Sequence, residues 1–296
     1  MASISAPPNT PVFDWFPARL LQSNPRSAAN PYAAVILNQP LTSLGPAQRV
    51  WRRAQFRVAA DGGANQLHDV AETAGQDFKD LDVIIGDLDS LRPEVQQYFE
   101  TETAGHKTEI IHDTDQYSTD FTKAVKLVQD RHPGIDVVAL GGLGGRVDQG
   151  VSQLHHLYLF SERRRDATSE KYRIGWSDET APHGSTFLLT SDSLTFLLLP
   201  GLHRIHVRDR LGGGGDGGNG EPSEDVFAKY VGILPMQGPS VISTSGLEWD
   251  ITDWPTEFGG HMSTSNHVLP ETEVVEVLTN RSVVFTIALK EEWQGK

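Results

Sequence analysis

The sequence predicts a mostly parallel α/β domain followed by an all-β domain, and three observations lead to this fold class. Strand patterns alternate with helical patterns up to about residue 160, which is typical of a Rossmann-like, three-layer α/β/α domain. From about residue 186, short apolar segments alternate with turn residues, which is typical of a β-sandwich of the jelly-roll kind. A chain of 296 residues also suits two hydrophobic cores better than one.

The α/β domain is predicted over residues 31–165, from apolar runs and helical periodicity. Buried-type strands are predicted at 32–38, 56–60, 81–86, 109–112 and 135–140. Helical spacing is found at 64–71, 121–128 and 151–158, and a further helix is predicted to begin at Pro93. Ser118 or Thr119 is the expected cap of the helix at 121–128.

The β-domain is predicted over residues 186–296, where the apolar segments are short. Its strands are predicted at 186–190, 194–199, 204–207, 227–234, 241–244, 274–278 and 283–289. A glycine-rich stretch at 211–220 has no helical pattern after it, unlike a phosphate-binding loop, so a flexible loop is predicted over 211–225. Residues 1–30 are predicted to be irregular, and residues 166–185 to connect the domains.

Composition excludes several classes of function. The net charge of −14 and the lack of a long basic stretch argue against nucleic-acid binding, which requires a basic face. The chain has no cysteine, so disulfides and thiolate chemistry are excluded. No apolar run approaches the ~20 residues of a membrane helix, and the first residues do not resemble a signal peptide. We therefore expect a cytoplasmic protein that binds neither membrane nor nucleic acid.

Four turns rich in aspartate or glycine follow strands or begin helices in the α/β domain. They read ADGGAN at 60–65, GDLDS at 86–90, DTDQYSTDFTK at 113–123 and GGLGGRVDQ at 141–149. Ligands of open α/β sheets bind outside the carboxyl ends of the strands. We therefore expect the four turns to meet at one edge of the sheet.

The GDLDS turn carries the sharpest chemical signal. Asp87 and Asp89 stand two residues apart at the end of a buried strand, close enough to share one cation. Magnesium prefers a few carboxylate oxygens together with substrate phosphates. The alternative is a solvated polar turn, which would leave two like charges side by side without a cation.

The other three turns supply groups that suit phosphate. Gly62 and Gly63 permit close approach of the backbone, and the next helix offers free N–H groups. Asp120 falls in the first turn of a helix with Lys123 one turn later, and Arg146 offers a planar fork for phosphate. Helix capping, a local ion pair and a flexible loop are the alternatives for these turns.

The combination and order of the turns resemble the thiamine pyrophosphokinase family, in its fungal-type form. The family blocks ADGGAN, GDxDS, DQxxTDxxKA and GGxxGRxDQ correspond to residues 60–65, 86–90, 115–124 and 141–149. In the β-domain, STSGLEW at 243–249 resembles the family's T-x-G-L-x-W segment, and STSN at 263–266 is similar to its last block. The resemblance therefore covers nearly the whole predicted fold.

The resemblance implies transfer of pyrophosphate from ATP to the hydroxyl of thiamine, with attack on the β-phosphorus and release of AMP. It implies Mg²⁺ as cofactor and catalytic, metal-binding roles for Asp87, Asp89 and Asp120. The residues expected around ATP and its phosphates are Asp61, Gly62, Gly63, Ser90, Gln116, Lys123, Arg146 and Asp148. Those expected around thiamine are Trp249, Ser263, Ser265 and Asn266. A homodimer is also implied, with the β-domain of one subunit completing the active site of the other.

One position departs from the family pattern, and parts of the sequence also fit four other functions. Tyr117 stands where animal-type members often carry a second aspartate, so it is assigned no ligand role. The DLD sequence also resembles that of aspartyl phosphatases, but Leu91 stands where they need Thr or Val. A nucleotide-sugar glycosyltransferase explains only the DLD sequence. Residues 247–249 and STSN argue against a pterin pyrophosphokinase, and the retained acidic residues argue against a non-enzymatic nucleotide-binding regulator.

Overall fold

The computed structural model describes residues 3–22, 30–41, 44–75, 78–101, 106–161, 184–208 and 224–294. The chain divides into two compact units, Asn30–Ser191 and Met1–Ala29 together with Asp192–Lys296. Most of the predicted connection and of the glycine-rich loop lies outside the described residues. Among the helices of the described ranges, none is long and apolar enough to cross a membrane.

Fifteen strands and five α-helices are present in the described ranges. The strands are β1 (Val12–Trp15), β2 (Tyr32–Ile36), β3 (Phe56–Ala60), β4 (Val83–Gly86), β5 (Glu109–His112), β6 (Asp136–Leu140), β7 (Thr186–Leu189), β8 (Ser193–Leu198), β9 (Gly201–His206), β10 (Phe227–Leu234), β11 (Ser240–Ser245), β12 (Trp254–Thr256), β13 (Ser263–His267), β14 (Val274–Thr279) and β15 (Val283–Leu289). The helices are α1 (Leu44–Arg53), α2 (Gly63–Ala74), α3 (Pro93–Glu100), α4 (Asp120–Arg131) and α5 (Val147–Ser161).

The unit Asn30–Ser191 is an α/β unit built on a parallel sheet. Its strands lie in the order β7-β6-β2-β3-β4-β5, and every pair between them is parallel. Strands β2 and β4 are buried at every residue, which explains their continuous apolar sequences, since helices cover both faces of such sheets. The predicted α/β fold class is confirmed for this part of the chain.

The other unit contains two mainly antiparallel sheets. One has the order β1-β9-β14-β11-β12, and the other contains β13-β10-β15-β8. Trp15 of the first sheet packs against Phe196 of the second with ring centroids 4.8 Å apart, and Phe196 packs against Phe285 at 5.3 Å. These contacts join the two sheets into one core, as the predicted all-β domain requires.

The N-terminal segment differs from the prediction of an irregular stretch over residues 1–30. Val12–Trp15 forms β1, which pairs in parallel with β9, and a short 3-10 helix follows at Pro17–Leu20. The Trp15 indole N–H donates to Nδ1 of His203 over 2.9 Å, and Phe13 stacks on the same imidazole at 4.7 Å. The strand therefore depends on partners far along the chain, which local periodicity does not reveal.

Strand β7 also differs from its predicted place in the β-domain. Thr186–Leu189 pairs in parallel with β6, so it extends the sheet of the α/β unit. All four of its residues are buried. A short, wholly apolar run is compatible with either sheet, so its pattern alone cannot assign it to one of them.

Candidate active site

The carboxyl ends of β3 and β4 bring two of the predicted turns together. The strands are neighbours, and the N–H of Asp61 donates to the carbonyl of Ile85 over 2.9 Å. Asp61 has a left-handed backbone, with φ of 43°, and is only 3% exposed. Its carboxylate therefore sits at the buried end of the sheet, as expected for a ligand site in this fold.

Gly86 allows the acidic side chains to approach each other at this edge. A Cβ atom at Gly86 would lie 2.6 Å from Cβ of Asp61 and 3.1 Å from Oδ1 of Asp120. The first distance is shorter than van der Waals contact permits. Glycine is thus required here by the crowding of the site's own residues.

The GDLDS turn is held by hydrogen bonds among its own polar groups. The N–H of Asp89 donates to Oδ1 of Asp87 over 3.3 Å, across Leu88, whose φ of 63° is left-handed. The Ser90 hydroxyl donates to Oδ1 of Asp89 over 3.0 Å, and the Ser90 N–H donates to Oδ2 of Asp61 over 3.2 Å. Ser90 therefore links the two acidic turns.

Asn65 supports the same turn from helix α2, a role that the sequence reasoning missed. Its amide nitrogen donates to the carbonyl of Ser90 over 2.7 Å, and its amide oxygen accepts from the N–H of Arg92 over 3.1 Å. Asn65 ends the ADGGAN block, so the block itself was the available signal. The asparagine fixes the turn after Asp89 to the helix that follows Asp61.

Three carboxylates lie close enough to hold one metal ion. Oxygen atoms of Asp61, Asp87 and Asp89 all lie within 4.8 Å of one another. We call these three residues the acidic trio. Oδ1 of Asp61 is buried and accepts no hydrogen bond from any described residue. An acceptor left buried in this way is costly, so it suits a cation.

The trio differs from the metal set expected from the sequence. Asp61, expected beside the nucleotide, lies within the trio, whereas Asp120 lies beside it. Oδ1 of Asp120 accepts from the ammonium of Lys123 over 3.1 Å, and that ammonium also donates to the carbonyl of Asp113 over 3.0 Å. The Lys123 side chain is only 2% exposed, so these contacts are needed to satisfy its charge.

Electrostatics at the site reflect the crowding of negative charge. Burial raises the pKa of the Asp61 carboxyl, and the nearby charges of Asp120, Asp87 and Asp89 raise it further, against the hydrogen bond from Ser90. The pKa of Asp87 is lowered by the hydrogen bond from the Asp89 N–H and by the Gln116 amide, whose Nε2 donates to Oδ2 over 3.2 Å. A bound cation would relieve the repulsion that Asp61 experiences.

The two glycines of the ADGGAN turn are explained by packing within the chain. A Cβ at Gly62 would lie 2.3 Å from Nδ2 of Asn38, and one at Gly63 would lie 2.3 Å from the carbonyl oxygen of Ile36. Both glycines therefore allow the start of α2 to pack against the end of β2. Packing alone requires Gly63, which faces backbone atoms, whereas the contact at Gly62 is with the end of the Asn38 side chain, which can rotate away.

Arg146 and Asp148 lie at the start of helix α5 and pair with each other. Nε of Arg146 donates to Oδ1 of Asp148 over 3.1 Å, and Nη2 donates to Oδ2 over 2.5 Å. Both side chains are exposed. The pairing lowers the pKa of the Asp148 carboxyl and raises that of the Arg146 guanidinium. The Arg146 guanidinium, which is predicted to bind phosphate, is thus exposed to solvent and already paired with the Asp148 carboxylate.

The candidate thiamine residues lie in the β unit around Trp249, which is 55% exposed. Oδ1 of Asn266 accepts from the Trp249 N–H over 3.2 Å, and its Nδ2 donates to the Trp249 carbonyl over 2.9 Å. The Trp249 ring lies 4.9 Å from that of His267. Asn266 therefore positions the tryptophan backbone, while Ser263 is half-buried and Ser265 is exposed with a left-handed φ of 55°.

Comparisons with known proteins agree across both units. The thiamin pyrophosphokinase catalytic domain matches residues 47–168, and the vitamin B1 binding domain of the same family matches residues 203–284. "Thiamine pyrophosphokinase 3" of Oryza sativa subsp. japonica is 33% identical over 275 residues, covering 88% of this chain and 87% of that protein. The Saccharomyces cerevisiae thiamine pyrophosphokinase is 28% identical over 284 residues, covering 78% of this chain and 77% of that protein.

Solved structures show the same fold. A thiamin pyrophosphokinase from Candida albicans superposes with a TM-score of 0.72 at 24% identity, covering 98% of this chain and 96% of that one. The yeast thiamin pyrophosphokinase gives a TM-score of 0.72 at 23% identity, covering 97% and 94%. The fold of this chain is thus shared with both structures over almost the whole length of each.

Proposed function

The chain belongs to the thiamin pyrophosphokinase family, and from this premise we propose how its residues carry out the reaction. It is a transferase that uses ATP as co-substrate and forms thiamine diphosphate from thiamine.

We assign the acidic trio as the magnesium site. The observation that supports this most strongly is the buried, unpaired Oδ1 of Asp61 beside the carboxylates of Asp87 and Asp89. The donor set consists only of hard oxygen atoms, which fits Mg²⁺. When bound, the ion supplies positive charge that offsets the phosphate oxygens of ATP.

Asp120 and Lys123 have a separate role in this proposal. Asp120 lies beside the trio, with Oδ1 held by Lys123, so its carboxylate is available to accept the proton of the thiamine hydroxyl. A carboxylate outside the metal site is a better base than one that binds the metal. Lys123 keeps Asp120 in place and adds positive charge near the phosphates.

The phosphate chain of ATP is proposed to contact the exposed polar groups at the same edge. Gln116 and Ser90 lie on the acidic turns, where they already hydrogen-bond to Asp87 and Asp89. Arg146 offers a planar fork that could exchange Asp148 for phosphate, because both side chains are exposed. Positioning of the phosphates in this way is the main contribution of proteins to such transfers.

A single assay tests the metal and the reaction together. AMP formation from ATP is followed with and without thiamine, and with Mg²⁺ or excess EDTA. We expect AMP only when thiamine and Mg²⁺ are both present. Equal AMP formation in EDTA would contradict the magnesium site, and AMP formed with a pterin alcohol in place of thiamine would contradict the substrate assignment.

Trp249 is proposed to bind the flat, cationic rings of thiamine. Its ring is 55% exposed, and a tryptophan face attracts cations with about 1–2 kcal/mol when desolvated. Trp249→Ala should therefore raise the KM for thiamine about tenfold while changing the KM for ATP less than about twofold. Trp254→Ala, in the same unit, is the matched control and should leave both constants unchanged. Equal increases in both constants for Trp249→Ala would indicate a structural role.

The active site is proposed to be shared between two subunits of a homodimer. The β unit exposes large apolar side chains that a partner or a substrate would cover, namely Tyr230 (49% exposed), Trp249 (55%) and Phe258 (68%). Exposed apolar groups of this size commonly mark binding surfaces. Asp89 and Trp249 would then act in the same active site from different subunits.

Mixing two impaired variants, assayed at a thiamine concentration below the wild-type KM, where Trp249→Ala is slow, tests the shared site. An Asp89→Asn subunit retains Trp249, and a Trp249→Ala subunit retains Asp89, so a mixed dimer would contain one complete site. We expect unfolding and refolding the two variants together to restore activity, whereas each variant refolded alone stays impaired. No recovery, with mixed dimers detected by mass spectrometry, would indicate that both residues act within one chain.

A cytoplasmic location remains our proposal from the sequence. Fractionation of cells that carry the tagged protein would test it, and recovery of the protein within an organelle would contradict it.

A further inference from the structure

A buried histidine lies behind the active site, outside every motif used above. His156 of helix α5 is 2% exposed. Its ring contacts Phe121 of helix α4, with centroids 5.1 Å apart, and Phe160 of its own helix at 5.3 Å. An imidazole held among aromatic rings must satisfy both nitrogen atoms within the protein.

The partners of the two nitrogens determine the tautomer of His156. Nδ1 lies 2.5 Å from the carbonyl oxygen of Ser152, which can only accept, so Nδ1 carries the proton. Nε2 lies 2.8 Å from the hydroxyl of Thr119 and 3.2 Å from the hydroxyl of Thr122, so it accepts from this hydroxyl pair, of which Thr119 is the nearer member. Burial lowers the pKa of His156 to about 4, so the ring is neutral near pH 7 and Nε2 remains an acceptor.

This acceptor orients the residue that caps helix α4. The Thr119 hydroxyl donates to His156, so its lone pairs face the helix and accept from the N–H of Thr122 over 3.2 Å. The Thr122 hydroxyl lies 3.0 Å from the same oxygen. A hydroxyl on its own rotates freely, whereas Nε2, which can only accept here, restricts where these two hydroxyls direct their hydrogen atoms.

Asp120 lies between the two residues that His156 contacts. Thr119 precedes it and is hydrogen-bonded to the imidazole, and Phe121 follows it and packs on the same ring. Asp120 lies close to the acidic trio, because a Cβ atom at Gly86 would lie 3.1 Å from its Oδ1 and 2.6 Å from Cβ of Asp61. The same Oδ1 accepts a hydrogen bond from Lys123. Any rotation of the first turn of α4 would move this carboxylate relative to the acidic trio.

We propose that His156 is a positioning residue for the pyrophosphate transfer, which holds Asp120 in register with the acidic trio through Thr119 and Phe121. This inference rests on the proposed role of Asp120 at the active site. It gives a catalytic consequence to a residue that touches neither substrate nor metal. A displacement of ~1 Å at such a distance from the chemistry can reduce a rate ~100-fold.

Three variants separate positioning from packing. His156→Phe keeps an aromatic ring but removes the acceptor, and we expect kcat to fall about 10- to 100-fold while both KM values change less than about twofold. His156→Gln restores an acceptor at a similar reach and should recover most of the loss. His155→Phe is the matched control, because it changes the neighbouring, exposed histidine of the same helix.

A second measurement does not depend on turnover. ¹H–¹⁵N NMR of the histidine rings should show His156 of the wild-type protein as the neutral tautomer protonated at Nδ1. If His156→Phe fails to fold, Thr119→Ser and Thr119→Val replace it, and only the valine variant should lose kcat.

Several results would overturn the inference. They are wild-type kcat in His156→Phe, equal impairment of the Gln and Phe variants, or a wild-type ring protonated at Nε2. Wild-type protein that forms no AMP with thiamine and Mg²⁺ would instead contradict the proposed function, which keeps the two failures distinct.

Discussion

Replacing Asp89 with asparagine is expected to lower kcat for AMP formation about 1000-fold while leaving the protein folded. The substitution removes one of the three charges of the acidic trio and keeps the size of the side chain. Asp89 is exposed and its carboxylate accepts a hydrogen bond from the adjacent Ser90, so it contributes little to packing. The loss should therefore be confined to catalysis.

The measurement compares kcat, the melting temperature and the affinity for Mn²⁺ alone, determined by calorimetry. Asp130→Asn is the control, since it removes the same charge from an exposed position at the far end of α4. We expect weaker Mn²⁺ binding in Asp89→Asn and unchanged Mn²⁺ binding in Asp130→Asn. The melting temperature of Asp89→Asn should be equal to that of the wild-type protein or higher. Near-normal AMP release by this variant would exclude Asp89 from the metal site.

Gly86→Ala is expected to have the second largest effect, a loss of activity of about 100-fold together with a destabilisation of ~1–3 kcal/mol. The added methyl group would lie 2.6 Å from Cβ of Asp61, so Asp61 or strand β4 must move. Because Cα of Asp61 would also be only 3.2 Å away, rotation of a side chain cannot relieve the clash. The acidic trio and Asp120 would be pushed apart.

Gly45→Ala provides the matched control for this steric argument. A Cβ atom at Gly45, on helix α1, would meet nothing within 4 Å, and alanine favours helix more than glycine does. Activity should be unchanged and the free energy of unfolding, measured in urea, equal or higher. If Gly86→Ala also kept full activity, the crowding of the site would not be a requirement for catalysis.

The location of the site could be predicted from the sequence, but its internal arrangement could not. Asp61 and Asp87 each follow a buried strand, and parallel strands direct such residues to one edge, as the structure confirms. Which carboxylates approach one another depends on the left-handed backbone of Asp61 and on the contact of Asp120 with Lys123. Neither feature has a signature in local periodicity.

Contacts between distant segments account for most of the other differences. The strand Val12–Trp15 is held by His203, and the apolar run Thr186–Leu189 pairs with β6. The STSN block predicts that Asn266 binds thiamine, which stays a prediction, and it gives no sign that the amide of Asn266 also holds the backbone of Trp249. In each case the sequence identified a residue or segment of importance but not the partner that defines its role.

The left-handed backbones of Asp61 and Leu88 have a consequence for protein engineering. Such conformations are unfavourable for residues with side chains, so they lower the free energy of unfolding. The charge repulsion within the acidic trio lowers it further. Neutral or glycine substitutions at these positions would therefore score well in any screen that rewards heat resistance alone. A library selected for thermal tolerance without an activity filter should accumulate inactive enzymes altered at this edge of the sheet.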